Sequence, residues 1–361
     1  MRKILKYKIM NILYKNKEIN SKKEKYSSEN SEYEYPLKFK LLKEITTDSF
    51  SSFFLDNSFC IFKSIDGILC LIYSNKNNSI ISYNLDSNKK LNEIKNAHNK
   101  HISNIRYYLD KNKKVDLIIS ISSRENIKIW NFNNLECLLD INKVNKVGRL
   151  LSAYIINDND VNYLLTSNSN HPEEAEPIKL YDFKGVKIKE VKDSEDNTFF
   201  VNTYYKKKSS KIYIITGNFG YAKSYDYKED KVYKKYDSDD KRRHYNLIIN
   251  ENENMVKLID SSCDGNIRIW NFDTGDLLNK INVDENQIYS ICLWNNNYLL
   301  AGCMDETIQL IDLVKGKIIN ELNGHNNMVI CVKKIMHKTY GECLISQGLK
   351  DDQIKLWTIA N

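Results

Sequence analysis

Two nearly identical heptapeptides, NIKIWNF at 126–132 and NIRIWNF at 266–272, lie 140 residues apart in this chain. A shortened version of the same stretch, QIKLW, follows at 353–357. Repetition of a short motif is the signature of architectures built from similar units, and the spacing of the copies then indicates which architecture is present. The fold is therefore best predicted from the period of this repeat.

Seven copies of the motif align along the chain, each a short apolar run that ends in an aromatic or apolar residue followed by a polar one. The residues at the aligned position are Tyr83, Trp130, Tyr181, Tyr225, Trp270, Ile311 and Trp357. Consecutive copies lie 41 to 51 residues apart. A period of about 45 residues is typical of a four-stranded propeller blade. The sequence therefore predicts an all-β protein, a seven-bladed β-propeller of four-stranded antiparallel blades.

The last unit suggests how the ring is closed. Only four residues follow Trp357, so unit seven has no room for a fourth strand. Upstream, LKFKLLKEI at 37–45 has the composition of a strand but belongs to no unit. We expect it to be the outer strand of the last blade, which would join the two ends of the fold.

Residues 1–36 differ from the rest of the chain. The first 17 contain no acidic residue, and a polar, charged stretch then runs to Pro36. We interpret residues 1–36 as a basic tail and linker, and residues 37–361 as the propeller. The first 17 residues could also contact a membrane surface or target an organelle, although targeting segments favour Arg and Ser. Here there is one Arg and no Ser.

Composition narrows the classes of partner and compartment. The net charge is +7, but only seven of the 54 basic residues are Arg, which disfavours a dedicated nucleic-acid surface. The eight cysteines contain no C-x-x-C pair and lie mostly in apolar runs, as in proteins of a reducing compartment. No apolar run reaches the roughly 18 residues needed to span a membrane. We expect a cytoplasmic protein, with organelle targeting through residues 1–17 as the alternative.

Residues 37–361 resemble the WD-repeat β-propeller family. Family blades carry Gly-His before the first strand and Trp-Asp at the end of the third, and their His, Ser or Thr, Asp and Trp form a hydrogen-bonded set. Gly324-His325 and Ala97-His98 each place a His 32 residues before a Trp. The residues that match this pattern are His98 and Trp130 in unit two; His244, Ser262, Asp264 and Trp270 in unit five; Asp305 in unit six; and His325, Asp351 and Trp357 in unit seven.

The chain also departs from the family pattern. A literal Trp-Asp pair never occurs, and only three of the seven units have the Trp. Arg124 and Phe219 stand where the family has Asp in units two and four, and Asp284 stands where the His belongs in unit six. The resemblance therefore rests on the seven regular repeats and the arrangement of the two ends, more than on any single motif.

The sequence contains no recognisable catalytic or cofactor motif. G-x-S-x-G, H-E-x-x-H, the Walker loop and G-x-G-x-x-G are all absent. His98 and His101 are three residues apart, but they enter a predicted strand and no Cys or carboxylate clusters beside them, which argues against a metal pair. We expect no enzyme activity, no cofactor and no bound metal.

Two charged loops are the candidate partner-binding sites. SNSNHPEEAEP at 167–177 carries Glu173, Glu174 and Glu176, and DSDDKRRH at 237–244 carries Lys241, Arg242 and Arg243. The resemblance to WD-repeat propellers implies that both loops emerge on the same rim, where that family commonly binds partners. The alternative is that both are simply solvated turns.

These features predict a non-enzymatic scaffold or adaptor that presents a rigid propeller rim to protein partners, within a multi-subunit complex. The alternative is a lipid- or nucleic-acid-binding module that uses the basic tail and Lys241–Arg243. Of these partners, nucleic acid is disfavoured by the small number of arginines, and contact with a membrane would be peripheral, through residues 1–17.

Overall fold

The structure is a computed structural model that describes residues 37–46, 59–122, 126–142, 144, 149–169, 176–283, 287–349, 351 and 353–360. Contacts divide the chain into residues 1–37 and 38–361, and the fold described here is that of the second unit. Its strands form seven sheets, each with four antiparallel strands. The prediction of a seven-bladed β-propeller is confirmed.

The first strand, β1 (Phe39–Thr46), belongs to the last blade, and each of the first six blades is a run of four consecutive strands. Blade 1 comprises β2 (Phe59–Lys63), β3 (Leu69–Ser74), β4 (Ile80–Asn84) and β5 (Lys89–Ile94). Blade 2 comprises β6 (Ile102–Asp110), β7 (Val115–Ser122), β8 (Asn126–Asn131) and β9 (Cys137–Asn142). Blade 3 comprises β10 (Arg149–Asp158), β11 (Val161–Ser169), β12 (Lys179–Tyr181) and β13 (Lys187–Glu190).

Blades 4 to 7 continue the same order of strands. A short 3-10 turn at Lys207–Ser209 connects the first two strands of blade 4. Blade 4 comprises β14 (Phe200–Lys206), β15 (Lys211–Gly217), β16 (Tyr221–Asp226) and β17 (Lys231–Asp237), and blade 5 comprises β18 (His244–Glu251), β19 (Val256–Ser262), β20 (Asn266–Asn271) and β21 (Leu277–Asn282). Blade 6 comprises β22 (Ile288–Leu293), β23 (Tyr298–Cys303), β24 (Ile308–Asp312) and β25 (Lys317–Leu322). Blade 7 comprises β26 (Val329–His337), β27 (Gly341–Gly348) and β28 (Gln353–Ile359), together with β1.

The ring closes as the sequence predicts. Strand β1 pairs antiparallel with β28, with Phe39 opposite Ile359 and Thr46 opposite Gln353. The first strands of neighbouring blades contact one another in turn, and β26 of the last blade contacts β2 of the first. These first strands therefore surround the centre of the ring, and β1 completes the outer edge of blade 7.

The apolar third strands are covered on both faces by neighbouring blades. In β20, Ile267 and Ile269 pack towards blade 6, whereas Trp270 packs with residues of blade 4. Successive side chains of a strand point to opposite faces, so a strand covered on both faces needs apolar residues at nearly every position. This explains why the repeated heptapeptides are largely apolar rather than alternating.

A β-bulge interrupts the outer strand of each of the seven sheets at the same place, one position before the aligned aromatic or apolar residue of the third strand. In each blade one apolar residue of the outer strand is skipped by the pairing. These residues are Leu42, Leu91, Leu138, Ile188, Tyr233, Leu278 and Ile319.

The antiparallel order of the strands decides where the loops lie. Turns between the first and second strands, and between the third and fourth, lie at one end of the blades. Turns between the second and third strands, and the connections from one blade to the next, lie at the other end, which we call the top rim. Among the residues described, no helix has the length and hydropathy needed to cross a membrane.

Candidate protein-interaction surface

Blade 7 contains a hydrogen-bonded set that links its second and third strands to the loop before it. His325 meets Ser346 Oγ through Nε2 and Asp351 Oδ2 through Nδ1, both at 2.7 Å. Trp357 Nε1 donates to the same Ser346 oxygen at 2.7 Å. Burial lowers the pKa of His325, although Asp351 opposes the shift, so the neutral imidazole is favoured.

Blade 2 contains a similar set with one change. His98 meets Ser120 Oγ at 2.7 Å, and Trp130 Nε1 donates to that oxygen at 2.8 Å. The other nitrogen of His98 lies 2.6 Å from Asn126 Oδ1, so an amide takes the place of the carboxylate. Arg124, which replaces the expected Asp in the sequence, lies outside the described residues.

Blade 5 differs from the set that the sequence indicates. His244 meets Asp260 Oδ1 at 3.0 Å, and Trp270 Nε1 donates to the other oxygen of Asp260. Leu258 is the residue opposite Trp270, so Asp260 comes two positions later and faces the same side as the indole. Asp260 therefore takes the place that Ser120 and Ser346 hold in the other two blades, and not Ser262.

Ser262 and Asp264 instead belong to a charge network around the buried Arg268. Ser262 donates to Asp264, and the fully buried Arg268 donates to Asp264 Oδ1 at 3.2 Å and to Asp239 Oδ1 at 2.9 Å. Burial acts to raise the pKa of Asp264, but hydrogen bonds from Arg268, Ser262 and Asn266 outweigh it and hold the pKa well below its usual range. This network anchors Asp239, at the start of the basic loop, to blade 5.

The remaining residue of the family pattern, Asp305, lies in an exposed turn of blade 6. Its Oδ1 accepts hydrogen bonds from Thr307 N at 3.0 Å and from Thr307 Oγ1 at 2.6 Å. It therefore stabilises the turn between β23 and β24 locally.

The basic loop, defined as residues 237–244, connects blade 4 to blade 5 on the top rim. Lys241, Arg242 and Arg243 are all exposed. The backbone is held on both sides, because Gly220 N donates to Arg242 O at 2.7 Å and Cys263 N donates to Arg243 O at 3.0 Å. Gly220 has φ +75, and a Cβ there would lie 2.9 Å from Asp240 O, so this close approach requires glycine. The three cations are thus presented by a fixed loop.

Two of the three acidic residues of the basic loop pair with groups outside it. Asp237 pairs with Lys235 at 2.8 Å. Asp239 pairs with Lys280 at 2.6 Å and with Arg268, and hydrogen bonds from these two groups lower its pKa to about 2. Asp240 accepts from Arg242 N at 3.0 Å, and its carboxylate is 3.9 Å from Arg242 Nε. Neutralisation within the loop is therefore confined to Arg242, whose Nη1 also donates to Cys263 O at 3.1 Å, while its side chain remains 59% exposed.

Arg243 is part of an Arg–Phe cluster, which comprises Arg243, Phe199, Phe219 and Tyr245. Its guanidinium carbon lies 5.0 Å from the ring centre of Phe199 and 5.4 Å from that of Phe219. The two Phe rings meet edge to face with centres 4.8 Å apart. Phe199 and Tyr245 are buried with Cys263, whereas Phe219 remains 38% exposed. Sequence reasoning noted Phe219 only as a departure from the family pattern, and it missed Phe199 and Tyr245.

The structure describes only part of the acidic loop, defined as residues 167–177. Glu173 and Glu174 lie outside the described residues. Glu176 forms an ion pair with Lys179, whose Nζ also donates to Val144 O at 2.9 Å. Because Lys179 balances its charge, Glu176 is a weaker candidate for partner binding than the cations of the basic loop.

A small cavity lies on the opposite side of the blades, at the junction of β1, blade 7 and blade 1. Its volume is about 100 Å³, and its lining includes Lys43, Asp86, His337 and Tyr340. Pockets that bind typical small-molecule substrates measure about 300–1,000 Å³, so this one is too small for such a ligand.

Within the part of the chain that the structure describes, no group of three His, Cys, Asp or Glu residues is placed to hold a metal ion.

Together, the fold and the top rim define a seven-bladed β-propeller with a fixed, positively charged loop. No protein-family model matches the chain. The chain is similar to the U3 small nucleolar RNA-associated protein 21 homolog of Schizosaccharomyces pombe, with 26% identity over 112 residues. That alignment covers 31% of this chain and 12% of the relative, so the likeness concerns only part of either protein.

Proposed function

We propose that the protein is a non-enzymatic scaffold of the WD-repeat type, which binds protein partners on its top rim through the basic loop. The observation that carries this proposal is the exposure of Lys241 and Arg242 on a fixed backbone, where Asp237 and Asp239 pair with other groups. Adjacent cations repel one another, so folding stability does not explain their clustering. A partner of opposite charge would offset that repulsion and speed association.

The proposal also assigns roles to the other parts of the chain. The buried His–Trp sets of blades 2, 5 and 7 hold the blades in shape, and the rigid blades fix the positions of the rim loops. Residues 1–36 are assigned the role of a basic tail and linker. The eight cysteines are free thiols, which supports a reducing compartment, and we propose the cytoplasm. The name of the relative, which refers to association with a small nucleolar RNA, supports membership of a larger assembly.

The test compares partners recovered with the tagged full-length chain and with Lys241→Glu/Arg242→Glu. Arg243 is left unchanged because it packs on the Phe rings. The matched control is Lys111→Glu/Lys113→Glu, which reverses two exposed cations on a turn at the opposite end of the blades. We expect the first variant to lose at least one partner by quantitative mass spectrometry, while the control retains all of them. Both should fold, and the first should melt slightly lower because it loses the 3.1 Å hydrogen bond from Arg242 Nη1 to Cys263 O. An unchanged set of partners with the folded first variant would contradict the proposal.

A second candidate function is nucleic-acid binding by the same loop, which the name of the relative favours. It predicts that binding of a single-stranded RNA weakens steeply as salt increases, with a slope set by the number of phosphates contacted. Binding that is undetectable at physiological salt would eliminate this candidate.

A further inference from the structure

Phe219 is an exposed aromatic residue at a turn where blades 5, 6 and 7 have an acidic one. The corresponding positions of blades 5, 6 and 7 hold Asp264, Asp305 and Asp351. Each of these carboxylates has a hydrogen-bond partner, which is Arg268, Thr307 and His325 respectively. In blade 4 Phe219 is 38% exposed, and its ring rests on the buried Phe199. The fold does not require an aromatic residue here.

The surroundings of Phe219 form a firm apolar base. Its ring meets Phe199 edge to face, and Phe199 packs with Tyr245 and Cys263. Burial raises the pKa of both Tyr245 and Cys263, in keeping with a poorly hydrated environment. Aromatic and Arg side chains that rest on a rigid base are the residues that contribute most to protein interfaces, because little conformational entropy is lost when a partner covers them.

The cations beside this base set the charge of what can bind. Lys241 and Arg242 lie on the same fixed loop, and the Arg242 side chain is 59% exposed although its Nη1 donates to Cys263 O. Arg243 lies against the two Phe rings. We propose that Phe219, Lys241 and Arg242 form a docking site for an acidic protein segment that carries an apolar or aromatic side chain. Carboxylates of the segment pair with Lys241 and Arg242, and its apolar side chain covers Phe219. This inference rests on the proposed scaffold function and specifies the chemistry of the partner.

A protein segment fits this site better than RNA does. Nucleic-acid surfaces combine an extended row of cations with aromatic faces open for base stacking. Here the exposed cations of the loop are confined to three consecutive residues, 241–243, too short a row to follow a nucleic-acid backbone. The guanidinium of Arg243 also lies over the faces of Phe199 and Phe219. A segment with one or two carboxylates and an apolar side chain next to them needs only this short row of cations and the edge of Phe219.

The test measures, by fluorescence anisotropy, the binding of four short labelled probes to the full-length protein: three peptides and one RNA. One probe alternates Asp and Glu around a central Phe, a second has Ala in place of that Phe, a third has Asn and Gln in place of the acids, and the fourth is oligo(U). We expect the first peptide to bind most tightly. Lys241→Glu/Arg242→Glu should weaken it by about tenfold or more, as the loss of two charged contacts implies, whereas Lys111→Glu/Lys113→Glu should leave it unchanged.

Phe219→Ala separates the apolar contact from the charges. This variant should weaken binding of the Phe peptide by several fold and leave the Ala peptide almost unaffected, because the contact exists only when both rings are present. Equal loss for both peptides, equal binding of the acidic and amide peptides, or tighter binding of oligo(U) would overturn the inference. If Lys241→Glu/Arg242→Glu loses cellular partners but the acidic peptides fail to bind, the scaffold proposal stands and the partner is of another chemistry.

Discussion

The acceptor for the buried indole N–H differs between blades. Ser120 and Ser346 supply a hydroxyl in blades 2 and 7, whereas Asp260 supplies a carboxylate in blade 5. Asp260 is fully buried and lies between His244 and Trp270, so it accepts from the indole while holding the imidazole. A buried acceptor that is removed leaves its donors without hydrogen bonds, which costs more than the bonds themselves contribute.

Replacement of Asp260 by Ala should therefore lower the free energy of unfolding by about 1–3 kcal/mol or more, since Trp270 Nε1 and His244 Nδ1 both lose their partner. Asp260→Asn keeps an oxygen to accept from the indole and should cost less. Urea denaturation followed by tryptophan fluorescence measures both effects. Asp305→Ala is the control, because it removes a carboxylate from an exposed turn, and it should cost least. Equal stability of Asp260→Ala and wild type would contradict this account of blade 5.

The sequence identifies His244 and Trp270 as members of one blade, but not the acceptor between them. Asp260 and Ser262 are two residues apart on β19, so they point to the same face, and only the register of β19 against β20 decides which of them reaches the indole. The Arg–Phe cluster could not be predicted from the sequence for a related reason. Phe219 and Arg243 belong to different loops, and their contact depends on how blades 4 and 5 are arranged.

At the scale of the element, β1 stabilises two interfaces at once. It forms the outer edge of blade 7 by pairing with β28, and Glu44 forms an ion pair with Lys355. Ile45, only 6% exposed, packs into the apolar cluster that joins blade 7 to blade 1. Leu41 on the same strand is 41% exposed and contributes little to that cluster.

The two residues give a matched pair of substitutions. Ile45→Ala should lower the free energy of unfolding by about 2–5 kcal/mol, the range for removing a large aliphatic side chain from a core. Leu41→Ala should change it by roughly 0.5 kcal/mol or less, as expected for an exposed position. Chemical denaturation of the two variants in parallel provides the comparison. Similar values for both would mean that the apolar contacts of β1 do not hold the ring closed.

Most elements could be predicted from the sequence because the seven units repeat with a regular period. The closing strand was predicted at 37–45 and is observed at Phe39–Thr46. The bulges of the outer strands could not be predicted, because one additional apolar residue leaves no distinct pattern in such short strands. Each bulge twists the exposed edge and interrupts its ladder, which hinders pairing with a strand of another molecule.

At the scale of the whole molecule, Arg106 connects three blades near the centre of the ring. From β6 of blade 2 it donates to Ser152 Oγ in blade 3 and to Val201 O in blade 4, both at 3.0 Å. Its guanidinium also lies 5.3 Å from the ring centre of Tyr154 and 5.2 Å from that of Phe200. Only 8% of Arg106 is exposed, so its contacts stabilise the arrangement of the blades.

Replacement of Arg106 by Met should cost about 1.5–3 kcal/mol, the range for hydrogen bonds to a charged group. Ser152→Ala should be non-additive with it, because the two residues share a hydrogen bond. Asp305→Ala, in a different blade and with no shared partner, should add to it within about 0.5 kcal/mol. Denaturation of the single and double variants gives both cycles. Additive behaviour of Arg106→Met and Ser152→Ala would show that this contact does not couple the blades.

The pairing of β1 with β28 has a consequence for the order of events during synthesis on the ribosome. Strand β1 is made early, but its partner follows about 300 residues later, which takes roughly 15–60 seconds at usual rates of translation. During that interval the charged side chains of Lys40, Lys43 and Glu44 keep the unpaired strand soluble. Closure therefore reports that the whole propeller has been translated, because a nascent chain that stalls before β28 keeps an open edge that quality-control proteases and chaperones can recognise.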